Sequence, residues 1–516
     1  MSMAENQAPA ALTGAPLAVI SLALAIATFM QVLDTSIANV AVPTIAGNLG
    51  VSADQGTWVI TSFAVSNGIS LPLTGWIMQR FGVVKTFVWS VILFTLASFL
   101  CGISWSLSSL IVFRVLQGAV SGPMIPGSQA LLMAIFPPEK RGTALAIWSM
   151  TTLVAPICGP ILGGYISDDY SWPWIFFINV PVGIIASVIC CRGLASRETP
   201  TRILPIDRVG FALLAIWVGA LQVTLDKGKD ADWFSSTPIV VLALVAAISF
   251  VAWLIWELTE QHPIVDLSLF KSRNFVAGTI AFCLGYAVFF GNVVLLPLWL
   301  QTEENYTATW AGLVAAPSGV VAVLLSPPGA RLLGRIDGRW GATISMSAFA
   351  ISYFMRAGLT PDASFSDYVM PMLVMGIGMS LFFVAMLTIS LNGVAPARIP
   401  AASGLINFTR ITAGSFAASM TTTFWDRREA LHQSHLAEAA NAYNPTTTQA
   451  FADLHSIGIG QIEGAGVLTQ ELVNQAYVLA SVDYFWLSGW LSVILIPIIW
   501  FASKSMSNGG SHAAAD

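Results

Sequence analysis

Phe29-Met-Gln-Val-Leu-Asp34-Thr-Ser-Ile-Ala-Asn39-Val-Ala-Val-Pro43 places one carboxylate inside an apolar run that begins near Leu17. A run of that length reads as the first membrane-spanning helix of the chain. An aspartate at the bilayer centre costs about 2.5 to 3.5 kcal/mol on insertion scales, so Asp34 must face a partner, a water-filled cavity or the protein interior.

The residues around that stretch fix the class. Of 516 residues, 56% are hydrophobic and only 9% charged, and the mean hydropathy is +0.75. Soluble domains carry about a quarter charged residues, so this chain is a polytopic membrane protein. About fourteen windows of spanning length follow one another, near 16–39, 56–78, 85–104, 107–130, 141–164, 174–194, 208–225 and 238–258, and then near 275–299, 309–330, 341–358, 368–391, 401–424 and 480–502. The expected architecture is all-α: a short N-terminal tail (1–15), a six-helix bundle (16–195), a linker with an inserted helix pair (196–260), a second six-helix bundle (261–502) and a tail (503–516). The second bundle contains one long polar connection, 425–477, read as an outer loop. The first apolar run lacks a small-residue cleavage site and is read as a retained helix.

Charge gives the orientation. With the N-terminus inside, one face receives Arg80, Lys85, Lys140, Arg141, Arg192, Arg197, Arg202, Arg208, Lys271, Arg273, Arg331, Arg335, Arg339, Arg398 and Lys504, while the other keeps Lys227, Lys229, Arg427 and Arg428. Both termini are therefore expected to be cytoplasmic. The outer face carries acids instead: Asp168, Asp169, Asp226, Asp230, Asp232, Glu303 and Glu304. Leu71-Pro-Leu-Thr-Gly75-Trp-Ile-Met-Gln-Arg80-Phe-Gly82 is echoed by Leu325-Ser-Pro-Pro-Gly329-Ala-Arg331-Leu-Leu-Gly-Arg335-Ile-Asp-Gly338, and each is preceded by a Thr-Trp pair. Two halves repeated in one orientation point to a transporter with a midplane site.

Several chemistries find no support. The chain has no phosphate-binding loop of the Walker type, no nucleophile elbow and no zinc-helix motif, so neither an ATP-driven pump nor an enzyme is expected. The five cysteines, Cys101, Cys158, Cys190, Cys191 and Cys283, all lie in apolar windows and read as free, buried thiols. His432, His435 and His455 share the long connection without a compact ligand set, and no metal or cofactor is expected.

Few ionisable residues fall inside the windows: Asp34, Arg114, Arg356 and Arg410, with Glu257 near an inner end. Counted from the outer ends of their helices, Asp34 and Arg114 lie at depths of roughly 7 and 10 Å, so the two are level enough to pair. A guanidinium favours the charged form of a neighbouring carboxylate and a dry surrounding favours the neutral form, which is the balance a proton-coupled carrier must shift. The alternative is a static ion pair. Arg356 and Glu257 lie close to helix ends and are expected to snorkel. Arg410, in Asn407-Phe-Thr-Arg410, suits either helix packing or a cavity. In the fifth window, Ala155-Pro156-Ile-Cys-Gly159-Pro160-Ile-Leu-Gly163-Gly164 spaces glycines for close helix approach and prolines for a kink.

These motifs together resemble the major facilitator superfamily, in its fourteen-helix drug:proton antiporter branch. Leu33-Asp34-Thr-Ser-Ile-Ala-Asn39-Val-Ala-Val-Pro43 is similar to the first-helix motif of that branch, Arg114-Val-Leu-Gln117-Gly118 to the fourth-helix motif, and the segment carrying Pro156, Gly159, Pro160, Gly163 and Gly164 to the fifth-helix antiporter motif. Gly75, Arg80, Gly82 and Lys85 correspond to the cytoplasmic gate between the second and third helices. Gln79 stands there in place of the usual acid, and Val83 and Val84 in place of basic residues.

The resemblance implies proton coupling through Asp34 and Arg114. It also implies export of hydrophobic drugs across the bacterial inner membrane, together with a periplasmic adaptor and an outer-membrane channel as partners. Export of a specific fatty acid or metabolite, and passive facilitation, are the alternatives. Gln31, Thr35, Asn39, Gln117, Trp148, Phe289, Phe290, Phe382, Phe383, Met386, Asn407 and Arg410 are expected to line the substrate cavity, because adaptable apolar and aromatic surfaces suit varied hydrophobic ligands. Phe29, Met30 and Trp58 fall in the same windows.

Overall fold

The computed structural model describes residues 12–137, 140–203, 205–302, 306–359, 365–441 and 443–504. The first eleven residues, the 505–516 tail and two of the outer acids, Glu303 and Glu304, lie outside the described residues, as do the side chains of Asp168 and Pro160.

Among the described residues, ten helices are long and apolar enough to cross a membrane: α1 (Gly14–Asn48), α3 (Val83–Gly102), α4 (Leu107–Ile135, broken at Gly122 and Pro123), α6 (Trp174–Arg197), α7 (Arg208–Gly228), α8 (Thr237–Thr259), α9 (Arg273–Thr302), α10 (Trp310–Leu333), α12 (Phe365–Ser390) and α14 (Gln461–Trp500). Four further helices of spanning length, α2 (Trp58–Phe81), α5 (Arg141–Asp169), α11 (Gly338–Ala357) and α13 (Ile399–Ala439), complete the set expected from the windows. Three of these four, α2, α5 and α13, face the opposite half of the molecule. Their buried faces carry Ser62, Ser66, Asn67, Ser70 and Thr74 on α2 and Ser403 and Asn407 on α13, which lowers their hydropathy while suiting a helix-to-helix surface.

The two halves repeat each other. Within the first, α1 packs on α5, α2 on α4 and α3 on α6; within the second, α9 packs on α13, α10 on α12 and α11 on α14. Two main contacts join the halves, α2 with α13 and α5 with α10, and smaller ones join α5 with α12 and α4 with α13. The inserted pair α7 and α8 packs together, and α7 lies against both α2 and α13, so it flanks one of those seams. Trp217 of α7 meets Phe408 of α13 at 5.7 Å, and Trp233 Nε1 donates to Thr423 Oγ1 at 3.1 Å. The spanning window of α8 is only 17% buried, which leaves most of this apolar helix for lipid.

The long connection differs from the expected loop. Residues 425–477 are largely helical: α13 runs on to Ala439, a short helix spans Pro445–Ser456, and α14 starts at Gln461. Trp425 packs against Tyr477 with centroids 4.5 Å apart and ring planes tilted by 48°, and donates to Ser481 Oγ at 2.9 Å, while Arg428 and His432 of α13 both meet the Asp483 carboxylate of α14. Polar sequence hid these helices from a hydropathy reading, although Asn444 caps the short one by accepting from Thr446 N at 2.9 Å.

Three further expectations are corrected. Arg356 does not snorkel: it is 1% exposed and points into the second bundle. Glu257 is likewise buried, accepting from Trp253 Nε1 at 3.1 Å and from Val265 N at 3.3 Å, so the helix-end position is used for a turn contact instead of solvent. Cys191, expected to be buried, is exposed on the outer surface of its helix.

Candidate functional site

Asp34 and Arg114 are in contact. Arg114 Nη1 lies 2.6 Å from Asp34 Oδ2, and both side chains are closed to solvent. Five helices build the cluster: α1 supplies Asp34, α4 supplies Arg114 and Gln117, α3 supplies Ser98 and Cys101, α6 supplies Asn179, and α2 supplies Val59 and Phe63. The other carboxylate oxygen, Oδ1, accepts from Gln117 Nε2 at 3.0 Å and from Asn179 Nδ2 at 2.9 Å. Asn179 also donates to Ser98 Oγ at 3.0 Å, and that hydroxyl donates to Phe176 O at 3.0 Å.

Arg114 is held through Nε and Nη1, while its buried Nη2 has no hydrogen-bond partner among the described residues. Its Nε donates to Val59 O at 3.0 Å, Nη1 also donates to Gln117 Oε1 at 2.7 Å, and Cζ lies 4.3 Å from the Phe63 ring centroid. A guanidinium over a ring face is attracted by the ring quadrupole, more strongly when desolvated. Every polar group that touches Asp34 is a donor. The arrangement therefore supplies donors to an ionised carboxylate and, among the described residues, no acceptor for a proton placed on it.

The antiporter segment lies alongside. A Cβ on Gly159 of α5 would collide with the Ser36 side chain of α1, and one on Gly163, one turn on, would stand 3.1 Å from Ile37 O, so α1 and α5 approach closely over both glycines. Ser36 Oγ donates to Pro156 O at 3.1 Å. That carbonyl is the one whose helical partner would be the missing N–H of Pro160, so α1 satisfies what the proline leaves open. Gly164 faces no neighbour within 4 Å.

The gate residues meet an acid that the sequence reading did not single out. Gly82 has φ +93, and Glu198, just beyond α6, accepts from Val84 N at 3.0 Å and Lys85 N at 2.8 Å, while Thr199 Oγ1 accepts from Val83 N at 3.1 Å. A carboxylate on the first amides of α3 fits the positive end of the helix dipole. Arg80 lies over the Trp76 and Phe81 rings. A Cβ on Gly75 would stand 2.8 Å from Ala401 Cβ of α13 across the seam.

The expected cavity residues separate into three groups. Trp148, Phe382, Phe383, Phe290, Asn407 and Arg410 gather at or beside the seam: Trp148 meets Phe383 at 6.2 Å, Phe382 meets Phe383 at 5.3 Å, Phe290 stacks on Tyr286 at 5.6 Å, and Arg410 lies 4.6 Å from the Tyr286 ring. Arg410 donates to Asn407 Oδ1 at 3.1 Å, and Asn407 Nδ2 donates across the seam to Gln129 Oε1 at 3.3 Å. Phe289 and Met386 are buried within the second bundle, Phe289 against Phe349. Gln117 belongs to the ion-pair cluster, while along α1 Gln31 and Met30 are buried, Thr35 and Phe29 half-buried and Asn39 exposed. Trp58 is 37% exposed. Gln129, Tyr286, Ser36 and Glu198 were not singled out beforehand, and Asn179, in a stretch that resembles the family, was given no role. For the two amides, the available signal was a hydrogen-bonding side chain inside an apolar run.

Residues 24–419 match the family model of the Major Facilitator Superfamily. The multidrug export protein EmrB of Escherichia coli (strain K12) is 49% identical over 505 residues, covering 98% of this chain and 99% of that protein. The fatty acid resistance protein FarB of Neisseria gonorrhoeae is 47% identical over 502 residues, covering 97% and 99%. A bacterial homolog of the human lysosomal transporter Spinster, solved inward-facing and unoccupied, shares the fold with a TM-score of 0.50 at 15% identity, covering 95% of this chain and 98% of that one. Repeated bundles, motifs and whole-length similarity agree: this chain belongs to the major facilitator superfamily and is similar to its EmrB multidrug export proteins.

Proposed function

We propose that this protein is a proton-driven antiporter that exports hydrophobic drugs and toxicants across the bacterial inner membrane. The observation that carries the reading is Asp34, a fully enclosed carboxylate whose contacts are all donors. Protonation and ionisation of that group demand different arrangements of α1, α3, α4 and α6, and the close α1–α5 contact offers a route by which such a change reaches the seam. A transporter, not an enzyme, is the reading consistent with the family. The seam cluster of Trp148, Phe383, Phe290 and Tyr286 supplies the apolar and aromatic surface for substrate.

Similarity to EmrB supports assembly with an EmrA-like periplasmic adaptor and a TolC-like outer-membrane channel. The helical extension 425–477 and the 226–233 turn are the surfaces for such contacts. Similarity to FarB favours a second reading, export of a fatty acid, for which Arg410 offers a cation beside an aromatic cluster.

Proteoliposomes with an imposed pH gradient test the coupling. The unaltered protein is expected to move substrate uphill, which a passive facilitator does not do. Asp34→Asn is expected to abolish uphill movement while retaining substrate binding. Uphill export by Asp34→Asn would refute the assignment of Asp34.

A further inference from the structure

The two bundles repeat each other's packing but not each other's charge. In the first, α1, α3, α4 and α6 enclose Arg114 together with Asp34. In the second, the helices at the same places in the repeat, α9, α11, α12 and α14, enclose Arg356, which is 1% exposed and lies near the end of α11. Its Cζ lies 4.8 Å from the Tyr353 ring centroid and 4.7 Å from that of Phe485. Its Nη2 faces Met375 Sδ at 3.9 Å, a weak acceptor, and its buried Nε has no acceptor. Among the described residues, no carboxylate forms an ion pair with it.

The surroundings repeat this imbalance. The buried Tyr353 hydroxyl and Trp299 Nε1 of α9 also lack hydrogen-bond partners. The Trp299 ring lies 6.1 Å from Phe485 and 5.9 Å from Tyr368, which places it in the same aromatic cluster as the guanidinium. Among the described residues, the cluster thus holds one full positive charge and several donors, with no anionic acceptor. Buried cations are paired as a rule, and buried donors are satisfied.

We propose that the Arg356 site binds a small monovalent anion of the halide class, which takes the part in the second bundle that the Asp34 carboxylate takes in the first. A single negative charge matches the one guanidinium, and donors alone suit an acceptor with no proton to give. The Tyr353 and Phe485 rings packed on Arg356 favour a compact ion over a ligand with an alkyl body. Such an anion fixes α11 against α14 and α12 and gives the second bundle a stiffness the first obtains from its own side chains.

The test uses the full chain, purified in detergent, with chloride replaced stepwise by gluconate at constant ionic strength. Chloride is expected to raise the unfolding temperature saturably, because a ligand bound only by the folded state stabilises it by mass action. The rise is expected to vanish in Arg356→Gln and to persist in Arg410→Gln, which alters the other buried arginine without an acid. Crystals grown with bromide are expected to show an anomalous peak within hydrogen-bond reach of the Arg356 guanidinium, and this measurement needs no variant should Arg356→Gln fail to fold. An unfolding temperature indifferent to chloride, an equal rise in Arg356→Gln, or no bromide at Arg356 would each overturn the proposal. None of these readouts involves transport, so the result stands apart from the fate of the exporter reading.

Discussion

Three arginines are buried in this molecule, and each meets its desolvation differently. Arg114 has a carboxylate, the Gln117 amide oxygen, the Val59 carbonyl and two rings; Arg410 has the Asn407 carbonyl and the Tyr286 ring; Arg356 has rings and a thioether. The first solution was legible in the sequence, because a single acid and a single base in apolar windows at equal depth have few other ways to be accommodated. The third was not, since counting residues to a helix end gives depth but not direction, and α11 turns Arg356 inward where snorkelling was expected. Asn179 was equally hard to see, as one amide scarcely disturbs the hydropathy of a window. Its role is open to measurement. Asn179→Ala removes one of the donors to the Asp34 carboxylate and a bond to Ser98, and is expected to lower stability by about 1 to 2 kcal/mol. Asn179→Asp, which sets a second carboxylate beside the first, is expected to cost more. Denaturation midpoints of the purified protein decide both, and equal stability of all three proteins would show that the amide is idle.

At the scale of the element, α13 and α14 have 41 and 40 residues. At 1.5 Å per residue each is roughly 60 Å long, about twice the hydrocarbon thickness, so both must stand out of the membrane on the side opposite the basic loops. Hydropathy windows register only the immersed part of such a helix, which is why 425–477 read as a loop. The helix count and the inserted pair, in contrast, were legible because each span is a separate apolar run. The start of α3 shows a different limit. The acid expected between α2 and α3 is replaced by Gln79, yet Glu198, more than a hundred residues on, brings a carboxylate to the same helix start. No local pattern announces a contact of that sequence separation. Glu198→Ala leaves the Val84 and Lys85 amides without their acceptor and is expected to cost about 1 kcal/mol, as other lost caps do. Gly82→Ala adds a backbone penalty of about 1 to 3 kcal/mol at φ +93 and sets its methyl against the Glu198 carboxylate, so it is expected to be the worse of the two. Thermal unfolding of the two variants ranks them, and the reverse order would show that the carboxylate, not the backbone, governs this junction.

At the scale of the whole molecule, the two halves close on each other at one end. On the side of the basic loops, Gly75 abuts Ala401, Gly404 abuts Thr74, Gln129 meets Asn407 and Trp148 meets Phe383. Toward the other side, Asn39, Trp58, Tyr165 and Trp310 are exposed. A carrier built from two repeats around a midplane site works by rocking one against the other, so the packed end must separate once in each cycle. Thr74 and Gly404 allow that requirement to be tested directly. A Cβ on Gly404 would stand 3.3 Å from Thr74 Cβ, close to the 3.5 to 4.5 Å typical of a disulfide. With the five native cysteines replaced by serine or alanine, Thr74→Cys combined with Gly404→Cys is expected to crosslink on oxidation and to lose essentially all uphill transport, with recovery on reduction. Each single cysteine variant controls for the added side chain, and both should transport under either condition. Transport that survives quantitative crosslinking would mean that substrate passes without opening the α2–α13 seam, and the rocking of the two bundles would have to be abandoned for this protein.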